Sequence, residues 1–135
     1  MLAAIASAAS GMRAATLRLE ASAGNVASMR SSGVLPSSST ASAGAPQAYQ
    51  PVRIEQTSAG GGGTVAKVRV AAPAWRAAYA PDAGFADASG MVAEPNVDLM
   101  GEALDQTTAQ ASFLASLRVF EAAQAMVRSL YELAD

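Results

Sequence analysis

The sequence predicts a mainly α protein in which long N- and C-terminal helices pair as a coiled coil, with a small irregular β-containing insert between them. Three observations predict it. Apolar and small residues recur at heptad spacing over residues 2–29. Residues 97–133 carry an apolar helical stripe and no Pro. The stretch between them is rich in Gly, Pro and Ser and holds two short runs of alternating polarity. The expected division is a first core helix at 1–30, a flexible, β-leaning insert at 31–95, and a second core helix at 96–135.

In the first helix, Leu2, Ile5, Ala9, Met12, Thr16, Leu19, Ala23 and Val26 follow alternating steps of three and four. That is the seam of a coiled coil. Ala and Thr fill several positions where Leu or Ile would stabilise more. Gly11 and Gly24 each cost roughly 1 kcal/mol relative to Ala. Alone, such a helix is marginal. Ser31-Ser32-Gly33 supplies a stop. Asn25 sits in a late turn although Asn is a mediocre helix former. It either caps the helix end or turns its amide to a neighbouring backbone.

Residues 31–48 are low in complexity and read as a flexible loop, because small polar residues, Gly and Pro bury too little surface to offset chain entropy. Val52 and Ile54 then alternate with Arg53 and Glu55, and Ala66, Val68 and Val70 alternate with Lys67 and Arg69. These are two strand signals, joined by the Gly-rich run 57–63. Residues 72–96 read as an extended segment anchored by Trp75, Tyr79 and Phe85.

For the second helix, Pro95 ends the preceding structure, Asn96 is the N-cap candidate, and Asp98 and Glu102 complement the positive helix end. The stripe runs Met100, Leu104, Thr107, Ala111, Leu114, Leu117, Phe120, Val127 and Tyr131. Its steps break between Leu114 and Phe120, where the seam should change face. Phe113, Val119, Met126 and Leu130 lie off the stripe, which implies more than one neighbouring helix. Arg118/Glu121 and Arg128/Glu132 read as surface pairs worth a few tenths of a kcal/mol.

Composition narrows the function. The chain has no Cys and no His, which excludes a thiol nucleophile, a disulfide framework, a Cys/His zinc site and a His base. Hydrophobic residues make up 51%, but 34 of them are Ala, which bury little area. Charged residues are 15%, against roughly 25% in ordinary domains. A compact monomer of this make-up would be thinly stabilised, so assembly with other chains is the natural inference. A net charge of −2 with scattered basic residues argues against nucleic acid, and no apolar run reaches the ~18 residues of a membrane span. The start MLAAIASAAS lacks the basic leader of a cleaved signal. The Gly60–Gly63 run lacks the Lys-Ser/Thr of a phosphate loop. Asp82 and Asp87 around Gly84 lack the alternating spacing of a calcium loop. Asp98 and Glu102 have no neighbour that would make them a catalytic carboxylate pair. No cofactor, metal or small-molecule substrate is expected.

Two short stretches are more specific. One is Ala23-Gly24-Asn25-Val26-Ala27-Ser28. The other is Ala86-Asp87-Ala88-Ser89-Gly90-Met91-Val92, followed by Pro95-Asn96-Val97-Asp98. With them the chain resembles the bacterial flagellar basal-body rod proteins, those of the proximal rod most of all. In that family an N-terminal helix ends in an A-S-N-L-A-N-type motif, matched by Asn25, Val26 and Ala27. A C-terminal helix opens at P-N-V-D after Y-x-P…D-A-x-G-x-V, matched by Tyr79, Pro81, Asp87, Gly90, Val92 and Pro95 to Asp98. Ser28 replaces the motif's second Asn, and the S-R-x-Y-Q-A-N-like signature within the second helix has become Ala111-Ser112-Phe113-Leu114-Ala115-Ser116.

The resemblance implies a structural subunit and no enzyme. Its partners would be other rod proteins, copies of itself and the flagellar export apparatus. It would be exported by the flagellar type III route without a cleaved signal and assemble into the periplasmic rod, part of the drive shaft. The residues expected to carry assembly are Leu2, Ile5, Met12, Leu19, Asn25 and Val26 in the first helix. In the second they are Asn96, Val97, Asp98, Met100, Leu104, Leu114, Leu117, Phe120 and Val127. The alternatives are a secreted helical interaction module outside the flagellum, or a divergent rod or hook paralogue.

Overall fold

A computed structural model describes residues 2–37 and 44–133. The order of elements is α1 (Leu2–Ala27), β1 (Val52–Ser58), β2 (Thr64–Val70), β3 (Trp75–Tyr79), β4 (Met91–Pro95) and α2 (Leu99–Glu132). Two helices thus flank four antiparallel strands in two small sheets. This helix–sheet–helix layout overturns the expected coiled coil with an irregular insert, on two grounds: the middle of the chain is ordered sheet, and the heptad seam is not where the helices meet.

The helices run antiparallel. Gly11 lies at Ser116, Arg18 at Asp105, and Ser22 and Asn25 at Glu102, so numbers rise on one helix as they fall on the other. The buried residues of α1 are Ala8, Ala14, Ala15, Ser22 and Asn25, and none belongs to the predicted seam. Ala8, Gly11, Ala15, Arg18, Ser22 and Asn25 do keep three–four steps, but on the neighbouring face. The buried residues of α2, Ala109 and Ala123, also lie off its predicted stripe. Small side chains let two helix axes approach closely. A Cβ at Gly11 would sit 2.6 Å from Ser116 Oγ and 3.5 Å from its Cβ, so even a methyl group there would force the Ser116 hydroxyl aside. The bulkier seam is left beside that contact, only partly covered.

β1 and β2 form the hairpin expected from their alternation, in register from Val52↔Val70 to Ser58↔Thr64. The 59–63 connection closes with Ala59 N–H donating to the Gly63 carbonyl. The hairpin leans on α1, where Thr64 N–H donates to Ser10 Oγ at 3.0 Å. Its outer face is charged, with Arg69 Nε donating to Glu55 at 3.0 Å.

β3 and β4 pair from Trp75↔Pro95 to Tyr79↔Met91. The merely extended reading of 72–96 is corrected accordingly. On the other edge of β4, Gly33 and Ala93 exchange both backbone hydrogen bonds, at 2.9 and 2.8 Å. β4 is therefore flanked on both sides, and Val92 and Ala93 are each 1% exposed. Val34 and Leu35 are buried with them. That corrects the flexible-loop reading for 31–35, because one apolar dipeptide in a polar run is enough to seat the chain when a sheet edge is open to it. Residues 38–43 lie outside the described residues.

Candidate assembly surface

Asn25 is the most connected polar side chain described. It is 2% exposed, and its amide spends all four hydrogen-bonding positions. Nδ2 donates to the Val52 carbonyl and to Glu102 Oε1, both at 2.8 Å. Oδ1 accepts from Val52 N–H at 2.9 Å and from the Tyr49 hydroxyl at 3.2 Å. One side chain thus ties the end of α1 to the start of β1, to α2 and to the chain leading into the hairpin. Of the two readings of Asn25, the amide-to-backbone reading describes the geometry. Beside it Ser22 Oγ donates to the Glu102 carbonyl, and Arg18 Nη2 donates to Asp105 at 2.7 Å.

The Pro95–Asp98 stretch divides its work differently from the expectation. The N-cap of α2 is Asp98, not Asn96: its Oδ1 accepts from Met100 N–H at 3.2 Å, and the helix starts at Leu99. Asn96 is taken up by the approach to β3, its N–H donating to the Ala74 carbonyl and Nδ2 to the Pro73 carbonyl. Pro95 is buried, Val97 is half-buried. In the preceding loop Asp87 Oδ1 accepts from Ser89 N–H and Met91 N–H at 2.8 and 2.9 Å. Gly90 takes a positive φ of 74°, and a Cβ there would stand 2.9 Å from the Tyr79 ring and 3.1 Å from Pro81. The motif residues Tyr79, Pro81, Asp87 and Gly90 therefore meet in one turn.

None of the apolar assembly residues in the two helices is fully buried. Leu2 is 83% exposed, Met100 79% and Leu104 68%, with Leu114 also exposed. Ile5, Met12, Leu19, Val26, Leu117, Phe120 and Val127 are half-buried. Part of the α1 seam forms a groove beside α2. Ala15, Thr16, Leu19, Ala109, Gln110, Phe113 and Leu114 line a space of about 490 Å³. Ala9, Met12, Arg13, Thr16, Leu17, Glu20 and Phe113 line another of about 590 Å³. The two share Thr16 and Phe113, so they adjoin along α1 as a largely apolar trough with those two side chains between them.

Among the described residues, the far end of α2 outruns α1. Carrying the Gly11–Ser116 level onward at equal rise puts Leu2 beside about Ala125. Met126 to Glu132 therefore project beyond α1, with Met126, Leu130 and Tyr131 exposed. Arg118 donates to Glu121 at 3.2 Å, whereas no Arg128–Glu132 ion pair is found among the described residues.

Sequence reasoning missed Tyr49, Val52 and Glu102 as partners of Asn25, since those partners are remote in the chain. It also missed the small-residue face, although Ala8, Ala15 and Ser22 recur at a spacing of seven. Among the described residues no three Asp or Glu side chains converge where a metal ion could sit, and no helix is long and apolar enough to cross a membrane. No family model matches the chain, and no curated protein matches it in sequence.

Proposed function

We propose that the chain is a structural subunit of the bacterial flagellar basal-body rod, of the proximal, FlgC-like type, built into the rod through its terminal helices. The observation that carries the reading is the incompletely covered heptad seam. The seam, most of it apolar, runs the length of α1, and none of it is buried within the chain. Leaving such a face in water forfeits roughly 1.5–3 kcal/mol for each large side chain that a neighbour could cover.

Surface area supports the same reading. The chain exposes 8820 Å², against about 6,500 Å² for a compact monomer of its mass. The surplus of roughly 2,300 Å² matches what a protein gives up at two to three ordinary interfaces, at about 800 Å² each. The resemblance at Asn25–Ala27 and at Tyr79–Asp98 names the assembly. In it the chain would have rod proteins and copies of itself as neighbours, would reach the periplasm through the flagellar export apparatus without a cleaved signal, and would perform no catalysis and need no cofactor.

The test is deletion and recovery in the native host. Cells lacking the chain should be non-motile and have no completed rod, and a tagged copy should restore motility and co-purify with basal bodies. Motile deletion cells, with the tagged chain absent from basal bodies, would overturn the assignment in favour of a secreted helical module.

A further inference from the structure

Resting on the reading of the chain as an assembly subunit, we infer that the trough beside α1 receives the projecting end of α2 from a second copy. The two run antiparallel, so that copies join head to tail. The chain carries both halves of this contact. The trough offers Ala9, Met12, Thr16, Leu19, Phe113 and Leu114. The projecting end offers Val127, Leu130 and Tyr131, which share one helical face at steps of three and four. Within one molecule the two cannot meet. Thr16 is level with about residue 111, so Leu130 lies about 28 Å further along at ~1.5 Å per residue.

Charge order sets the direction. Arg13 and Glu20 stand on the rim of the trough, in that order along α1, and both are exposed. Arg128 and Glu132 stand on the projecting end, in that order along α2, and both are exposed. Antiparallel seating brings Arg13 toward Glu132 and Glu20 toward Arg128. Parallel seating would bring like charges together, at a cost instead of a gain. With Thr16 beside Leu130, Leu19 falls beside Val127. A contact that joins two different surfaces of one chain does not consume itself in a dimer; it continues from copy to copy. The exposed surplus leaves room for such contacts on both surfaces of every copy.

The absence of Cys makes the test direct. Purified full-length chain carrying Thr16→Cys and Leu130→Cys together is oxidised mildly and run without reductant. Both positions are exposed, and circular dichroism of the reduced variant checks that the fold is kept. Since a disulfide needs Cα atoms within about 7 Å, any 16–130 bond must join two molecules. The expected result is a ladder of oligomers that reductant collapses, with little product from either single-Cys variant. Glu20→Arg in this background should cut the ladder several-fold, and adding Arg128→Glu should bring it back. Monomer only, or a product that stops at the dimer, would overturn head-to-tail seating; so would a charge swap that fails to rescue. A ladder from a chain that never reaches basal bodies would sink the rod assignment and leave this contact standing. Rod incorporation without the cross-link would do the reverse.

Discussion

Asn25 shows why a single amide can hold a junction of three elements. Its donors and acceptor pair with groups 24, 27 and 77 positions away in the chain, and the side chain is almost wholly buried. Removing it would leave the half-buried Val52 peptide and Glu102 short of partners, and each buried orphan costs about 1–3 kcal/mol. Asn25→Ala should therefore lower the unfolding free energy by about 2–4 kcal/mol, read from urea denaturation. Asn25→Asp should do no better, because it loses both donors and sets a carboxylate against Glu102. An unchanged midpoint for Asn25→Ala would remove the junction argument. The cap makes a second contrast. Asp98→Ala should cost about 1 kcal/mol. Asn96→Ala should cost less, since its side-chain bond to Pro73 is exposed. If Asn96→Ala proved the worse of the two, Asp98 would not be the effective cap.

At the scale of elements, the helix pair inverts the usual division between large and small residues. The inside is Ala8, Gly11, Ala15 and Ser22 against Ala109, Ser116 and Ala123. The outside holds Met12, Leu19 and Leu114. Overpacking a close helix contact costs about 1–3 kcal/mol, so Ala15→Leu and Gly11→Val should each lower the melting temperature clearly. Met12→Ala and Leu19→Ala should barely move it, because those side chains are only partly covered in the single chain. Thermal melts of the four variants at one low protein concentration decide the matter. If Leu19→Ala were as damaging as Ala15→Leu, the small-residue face could not be what holds the pair.

The whole molecule has more surface than its mass requires, and most of its exposed large apolar side chains lie on α2. Such a chain gains stability from neighbours by mass action. Sedimentation should show association that strengthens with concentration, and Leu19→Ala with Leu114→Ala should weaken it while the far-ultraviolet spectrum is kept. Ending the chain after Ala125 removes only helix that projects beyond α1. It should preserve folding and abolish recovery in basal bodies. A truncated chain that still enters the rod would show that the projecting end is dispensable.

Much of the secondary structure was legible from local pattern. The helices lie at Leu2–Ala27 and Leu99–Glu132, close to the stretches marked by periodicity and by the Pro95–Asp98 boundary, and the hairpin lies where polarity alternates. Periodicity reports which residues share a face, and caps and Gly-rich turns act over a few positions, so a linear reading suffices for these. It does not report which face finds which partner. Hydrophobicity pointed to the Leu and Met seam, whereas close approach selects for small volume, which Ala, Gly and Ser supply without any hydrophobic signature. The pairing of Gly33 with Ala93, the β3–β4 ladder and the four bonds of Asn25 depend on groups brought together from remote positions. Only the folded chain could choose among those contacts, because their free energy exists once both partners have been ordered in the same place.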